Sequence, residues 1–170
     1  MGEWGNEGKG ETGMVKMLEV ICSGQFGPVR LSMPRAQVHR LFGEPENTAK
    51  SQRKLQAPDI WRYGTIELYF DPEGLLKKIF TDYLDPLDVG EGRPLDPWVL
   101  RKGLSSKEAA EALEQAGIAF SAERPAWGEG TVSILRTATG FEMLFQDQAD
   151  IISDKLGLQA VSLQRVDATH

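Results

Sequence analysis

The stretch Gly27-Pro28-Val29-Arg30-Leu31-Ser32-Met33-Pro34-Arg35-Ala36-Gln37-Val38-His39-Arg40-Leu41-Phe42-Gly43-Glu44-Pro45 decides the fold. It reads as a turn, a short strand, a compact helix and a stop. Pro34 suits the first helical turn, where its missing N–H is no loss, and Val38, Leu41 and Phe42 recur at helical spacing, so one face of the helix seeks a core. Gly43 stands where a left-handed cap is wanted, at positive φ, and Pro45 forbids continuation. No catalytic motif lies in or around the stretch.

Toward the N-terminus, residues 14–22 are apolar at Met14, Val15, Met17, Leu18 and Ile21, a helical spacing that Ser23-Gly24 ends. Residues 1–13 hold five glycines and little apolar surface beyond Trp4, too little to repay ordering entropy, which predicts a disordered tail. Toward the C-terminus, residues 46–59 are polar and read as a long loop. At Ile60 the period becomes two. Ile60-Trp61-Arg62-Tyr63, a Gly64-Thr65 turn and Ile66-Glu67-Leu68-Tyr69-Phe70 make a hairpin with Ile66, Leu68 and Phe70 on its buried face. Asp71-Pro72-Glu73-Gly74 is turn chemistry, and residues 75–83 return as a third strand.

Residues 85–97 carry three prolines without an apolar period and read as a linker. Beyond it the order starts again. Residues 98–101 read as a short strand, and Ser105-Ser106-Lys107-Glu108 fits a capping box for a helix that Gly117 stops. Its Ala109, Ala112, Leu113 and Ala116 match the first helix when Pro34 is laid on Ser105. An irregular stretch over 121–130 precedes strands over 131–137, 141–145 and 158–163, and Ile151, Ile152 and Leu156 suit an inward-packing loop. The expected fold is α+β, a tandem repeat of a helix packed on a three- to four-stranded antiparallel sheet, with a tail over 1–13, a first unit over 14–84, the linker, and a second unit over 98–170.

At 170 residues and 41% hydrophobic, the chain has enough apolar material for one generous core or two small ones. A net charge of −6 with both signs interleaved argues against nucleic-acid binding, which needs a concentrated basic face. Cys22 is the lone cysteine, no export signal is recognisable, and no apolar run approaches the length of a membrane span, so a cytoplasmic protein is expected.

The pattern Met33-Pro34-Arg35-Ala36-Gln37-Val38 with Leu41-Phe42-Gly43-Glu44-Pro45, followed by Trp61-Arg62-Tyr63-Gly64 and Glu67-Leu68-Tyr69-Phe70, resembles the helix-on-sheet unit of the β-lactamase inhibitor protein family and of the small outer-membrane assembly lipoproteins. The match is good over about a third of the first half and holds in outline over the second, where residues 105–113 stand for the motif. The resemblance implies a tandem repeat that binds protein through a sheet face. Those proteins are exported, and this chain lacks their signals. The whole chain also resembles a group of bacterial proteins of unassigned function.

Chemical motifs are weak. Gly8-Lys9 has a glutamate, Glu3, where a phosphate loop needs its first glycine. Ser51-Gln52-Arg53-Lys54 has the Ser-x-x-Lys spacing of acylating enzymes without their other segments. His39 and His170 are far apart in sequence, and Asp147, Asp150 and Asp154 lack the glycine and closing glutamate of a calcium loop, so neither a metal nor any other cofactor is expected. Strand alternation turns Glu67 and Tyr69 away from the core, which makes an outer face bearing them, with Trp61, Tyr63, Tyr83 and Trp127, the candidate contact surface for another protein; ordinary packing in the core or at its rim is the alternative for Trp61, Tyr63 and Trp127. The expected function is non-enzymatic protein binding of immunity or inhibitor type. The alternatives are an enzyme using carboxylates such as Glu67 with Asp82, or a structural or assembly factor.

Overall fold

The computed structural model describes residues 14–90, 92–146 and 157–166. The tail expected over 1–13, with Gly8 and Lys9, the loop residues Asp147, Asp150, Ile151, Ile152, Asp154 and Leu156, and His170 lie outside the described residues. In chain order the elements are β1 (Val15–Lys16), α1 (Met17–Ser23), β2 (Gln25–Phe26), β3 (Val29–Arg30), α2 (Arg35–Phe42), β4 (Asn47–Ala49), β5 (Ile60–Tyr63), β6 (Ile66–Phe70), β7 (Leu76–Thr81), β8 (Leu95–Asp96), α3 (Ser106–Gln115), β9 (Phe120–Glu123), a 3-10 turn (Ala126–Gly128), β10 (Val132–Thr137), β11 (Phe141–Gln146) and β12 (Gly157–Gln164). The class is α+β. Antiparallel pairing in the order β4-β5-β6-β7-β12-β11-β10-β9 makes one eight-stranded sheet.

The two longer helices start by different chemistry. Pro34 is the N-cap of α2, one residue before the position expected for it, and its carbonyl accepts from the N–H groups of Gln37 and Val38. Ser105 caps α3 through a full capping box with Glu108. Gly43 ends α2 with φ 82° as expected, but its ψ of −164° turns the chain extended, a conformation essentially confined to glycine. Val38 and Phe42 form the buried stripe of α2, whereas Leu41 falls on its solvent shoulder and is exposed.

Both helices are tied to the sheet at their first turns. Pro34 bridges to Leu75 at the foot of β7, and Ser105 bridges to Gly157 at the foot of β12. Matching backbone bonds run from Leu76 N–H to Met33 O (2.9 Å) and from Leu158 N–H to Leu104 O (2.8 Å). Each of β7 and β12 also carries one bulge near its start, Lys77 and Gln159 being the residues skipped in the pairing with β6 and β11.

Four sequence readings are corrected. The loop over 46–59 holds edge strand β4, and the irregular stretch over 121–130 holds edge strand β9; β4 shows no alternation because all three of its residues are exposed. Residues 98–101 form a turn, since Trp98 takes φ 57° with its N–H held by Asp96 Oδ1, and the strand is β8, paired in parallel with β1. The expected linker is a packed strap. Leu84, Leu87 and Val89 join the same hydrophobic cluster as Leu68 and Phe145, and Arg93 donates to Phe42 O at the end of α2 while its guanidinium stands 4.5 Å from the Phe42 ring centre. A cation there also suits the negative end of the helix dipole.

The strap is keyed to the β5-β6 turn. Thr65 N–H donates to Asp88 O (2.8 Å), and Gly64, at φ 61°, leaves no room for a side chain because a Cβ would lie 2.4 Å from that same carbonyl. Gly64→Ala should therefore destabilise by more than about 2 kcal/mol in urea unfolding, from left-handed strain plus displacement of the strap. It should also open a thermolysin site near Leu87 or Val89. Gly43→Ala should lose roughly 1 to 3 kcal/mol from backbone strain and open no such site.

Candidate functional site

Among the described residues the helices lie on one side of the sheet and most of the other side is uncovered, Val132 and Ile134 of β10 being buried there. Burial alternates along β6 and β11: Ile66, Leu68 and Phe70 of β6 and Phe141, Met143 and Phe145 of β11 are buried, while Glu67, Tyr69, Glu142 and Leu144 between them are half-buried; β10 is buried on both sides from Val132 to Leu135. The pairing registers link the bare-face residues into rows. One row crosses all eight strands as Asn47, Arg62, Glu67, Phe80, Ser162, Glu142, Arg136, Ser121. Its arginines and glutamates are placed symmetrically about the β7-β12 seam. Flanking rows place Ile60, Tyr69 and Lys78 side by side in one half, and Ile134, Leu144 and Ala160 in the other.

The charges in the row are largely satisfied within it. Arg136 Nε donates to Glu142 (2.7 Å) and its other arm pairs with Glu123, and these bonds, Glu142 first, raise its already high pKa. Tyr69 donates its hydroxyl to Glu67 Oε1 (2.7 Å); burial first and that carboxylate second push the phenol up to about 12. Lys78 Nζ lies 5.7 Å from the Tyr69 ring centre and 5.1 Å from that of Phe80, so a cation joins the two aromatics near the middle of the bare face.

The expected contact residues separate. Glu67 and Tyr69 lie on the bare face. Trp61 and Tyr63 do not, because they pair with Leu68 and Ile66 and so point to the helix side. Tyr63 is 2% exposed, with its hydroxyl on Gly43 O (2.8 Å) and its pKa pushed up by burial to about 12, and Trp61 packs between Phe70 and His39. Tyr83 is exposed beyond the end of β7 and lines a hollow of about 150 Å³ with Asp82, Lys102 and Gln159. Trp127 projects from the 3-10 turn whose Gly128 lies against Val132, at the rim where the bare face closes. Sequence reasoning missed Phe80 and Lys78, because the bulge at Lys77 reverses the alternation of β7: simple period-two counting puts Phe80 with Leu76, whereas Leu76, Ile79 and Thr81 are the buried set.

A second concave feature lies at the start of α2. A cleft of about 560 Å³ is lined by Arg35, the 51–59 loop, Phe70, Asp71, Pro72 and Lys77. The Ser51 hydroxyl is taken by Asp59 and not by Lys54, the partner the Ser-x-x-Lys spacing would require: it donates to Asp59 Oδ2 (2.5 Å), and the Ser51 N–H donates to Oδ1 (2.8 Å). Burial pushes the Asp59 carboxyl up, but those bonds and the charge of Lys77 hold it below the ordinary range. Asp71 behaves alike. Burial raises it, and the N–H groups of Leu75 and Glu73 together with Arg165 (3.0 Å) outweigh that and lower it. Among the described residues no three of His, Cys, Asp and Glu cluster as a metal site, and no helix is long and apolar enough to cross a membrane. His39 sits on an exposed helix face against Glu44 (2.6 Å).

Fold and face together define an α+β protein with a helix-covered antiparallel sheet and a bare opposite face. No protein-family model matches the chain, and no curated protein matches it. Among solved structures, a DUF4309 family protein (YjgB) from Bacillus subtilis is similar at 15% identity, over 78% of each chain, with a TM-score of 0.39. So slight a likeness carries neither fold nor function across.

Asp71 gives a pH signature. Its folded pKa lies below the ordinary carboxylate value, so its contribution is full above the unfolded pKa of about 3.9 and is lost as pH falls through the folded value. Asp71→Ala should cost about 2 to 3 kcal/mol at pH 7, by removing charge-assisted bonds to Arg165 and the turn. The gap between wild type and variant in urea unfolding should narrow steadily below pH 4.

Proposed function

We propose that the protein binds another protein through the bare sheet face, and that it is built from two copies of one helix-on-sheet unit. The observation that carries the binding reading is the half-buried Tyr69–Lys78–Phe80 group at the middle of an uncovered face. Glu67 accepts from Tyr69, and Arg136 is paired with Glu142 and Glu123, so an incoming surface meets aromatic area flanked by charges of both signs. Support for duplication comes from position: Arg62 and Arg136, Glu67 and Glu142, and Phe70 and Phe145 occupy corresponding places in the pairing, and both helices are tied to corresponding strands. The resemblance to the inhibitor family favours inhibition or neutralisation of the partner as the form of binding.

Side-chain direction makes the reading testable. Leu68→Ala should cost about 2 to 5 kcal/mol, as a core cavity does. Tyr69→Ala with Phe80→Ala should leave the fold intact to within about 2 kcal/mol. A protein captured from the native organism by the wild-type chain and confirmed by direct titration should bind this double variant at least about tenfold more weakly, as loss of an aromatic hot spot requires. Unchanged affinity in the folded double variant rejects the bare face as the contact surface.

A further inference from the structure

The cleft at the start of α2 holds an arginine whose Nε has no hydrogen-bond partner among the described residues. Arg35 Nε is buried without a hydrogen-bond partner, and its guanidinium stands 5.7 Å from the Phe70 ring centre. Stacking on Phe70 explains the position of the plane but not the orphaned N–H, and buried donors are rarely left unpaired. Arg35 is also the first residue of a helix with no acidic residue in its first turn, so its charge opposes the helix dipole as well. The first residue of α3 is Ser106, which shows that a helix tied to this sheet does not need arginine there.

The rest of the lining adds two cations and two acids. Lys77 is the bulged residue of β7 and lines the cleft with Lys54, and neither makes an ion pair among the described residues. The two acids of the cleft are committed: Asp59 accepts both bonds from Ser51, and Asp71 is held by Arg165 and two backbone N–H groups. A cationic cleft thus opens in a chain of net charge −6. Leu55, Ala57, Phe70 and Pro72 give it an apolar wall.

We propose that this cleft binds a small organic carboxylate, with its head on Arg35, Lys54 and Lys77 and its apolar body against Phe70, Leu55 and Pro72. A planar guanidinium fork matches a carboxylate in two bonds, and such a ligand would relieve the dipole conflict and balance the cations of the cleft. The site is independent of the bare sheet face, since Phe70 points to the helix side.

Two-dimensional amide NMR of the full chain, titrated with hexanoate and with its uncharged analogue hexanamide, tests the assignment. Hexanoate should give saturable shifts confined to residues near 35, 51–59 and 70–77, with a Kd of about 10 mM or tighter. Hexanamide should bind at least tenfold more weakly, as should hexanoate to Arg35→Gln. Lys54→Gln, at an exposed position, should weaken hexanoate about threefold and serves as the check should Arg35→Gln fail to fold. Absence of saturable shifts, equal binding of acid and amide, or affinity unchanged in a folded lysine or arginine variant overturns the proposal.

Discussion

The antiparallel seam between β7 and β12 fixes every other placement in the molecule. It sets Thr81 against Val161 and Ile79 against Leu163, all four buried, with Phe80 against Ser162 and Lys78 against Gln164 on the opposite side. A slip of one residue would send the buried set to the bare face and drive Lys78 into the core, so the register is strongly specified. The seam also removes what would otherwise be two long edge strands rich in apolar residues. Met17 and Val20 of α1, with Phe26, line a narrow hollow with Ile79, Val161 and Leu163, and Thr139 Oγ1 reaches Ile21 O (2.7 Å). The short first helix therefore acts as a staple across the seam.

Away from the seam, the edges are left to small and polar groups. β4 is three residues long and wholly exposed, and the strands next to the edges carry Arg62 and Arg136 on the bare side. Short edges with charge close to them discourage strand addition by another chain. The same arginines lie opposite Glu67 and Glu142, so they keep the bare face wet without giving it a net field.

Where local chemistry decided structure, the sequence was readable. The helix over 35–42, the Ser105–Glu108 capping box, the β5-β6 hairpin and positive φ at Gly43 follow from spacing, caps and turn residues within a few positions of one another. Edge strands β4 and β9 were hidden, because an exposed strand has no buried side to mark its period. The strap was hidden too: proline and acid content suggested a linker, while Leu87, Val89 and Arg93 find their partners in the turn at Gly64 and the end of α2, far away in sequence. For the candidate site, alternation puts Glu67 and Tyr69 on the side away from the core, while the side of Trp61 and Tyr63, open in the sequence, follows from their pairing with Leu68 and Ile66.

The two bulges show how one irregularity in the ladder separates structure from chemistry. Both lie next to a buried phenylalanine, Phe70 or Phe145, where β7 and β12 receive the first turn of a helix. An extra residue at that point lets the strand follow the helix anchor and still deliver Ile79 and Val161 to the core in phase. The residue inserted is free of the ladder's alternation, and the chain has used it differently in the two places: Lys77 faces a cleft beside Arg35, and Gln159 faces a small hollow beside Asp82 and Lys102. Packing demands an inserted residue at both positions but leaves its chemistry open, which is why the surroundings of Lys77 are more informative about ligands than those of any residue held in register.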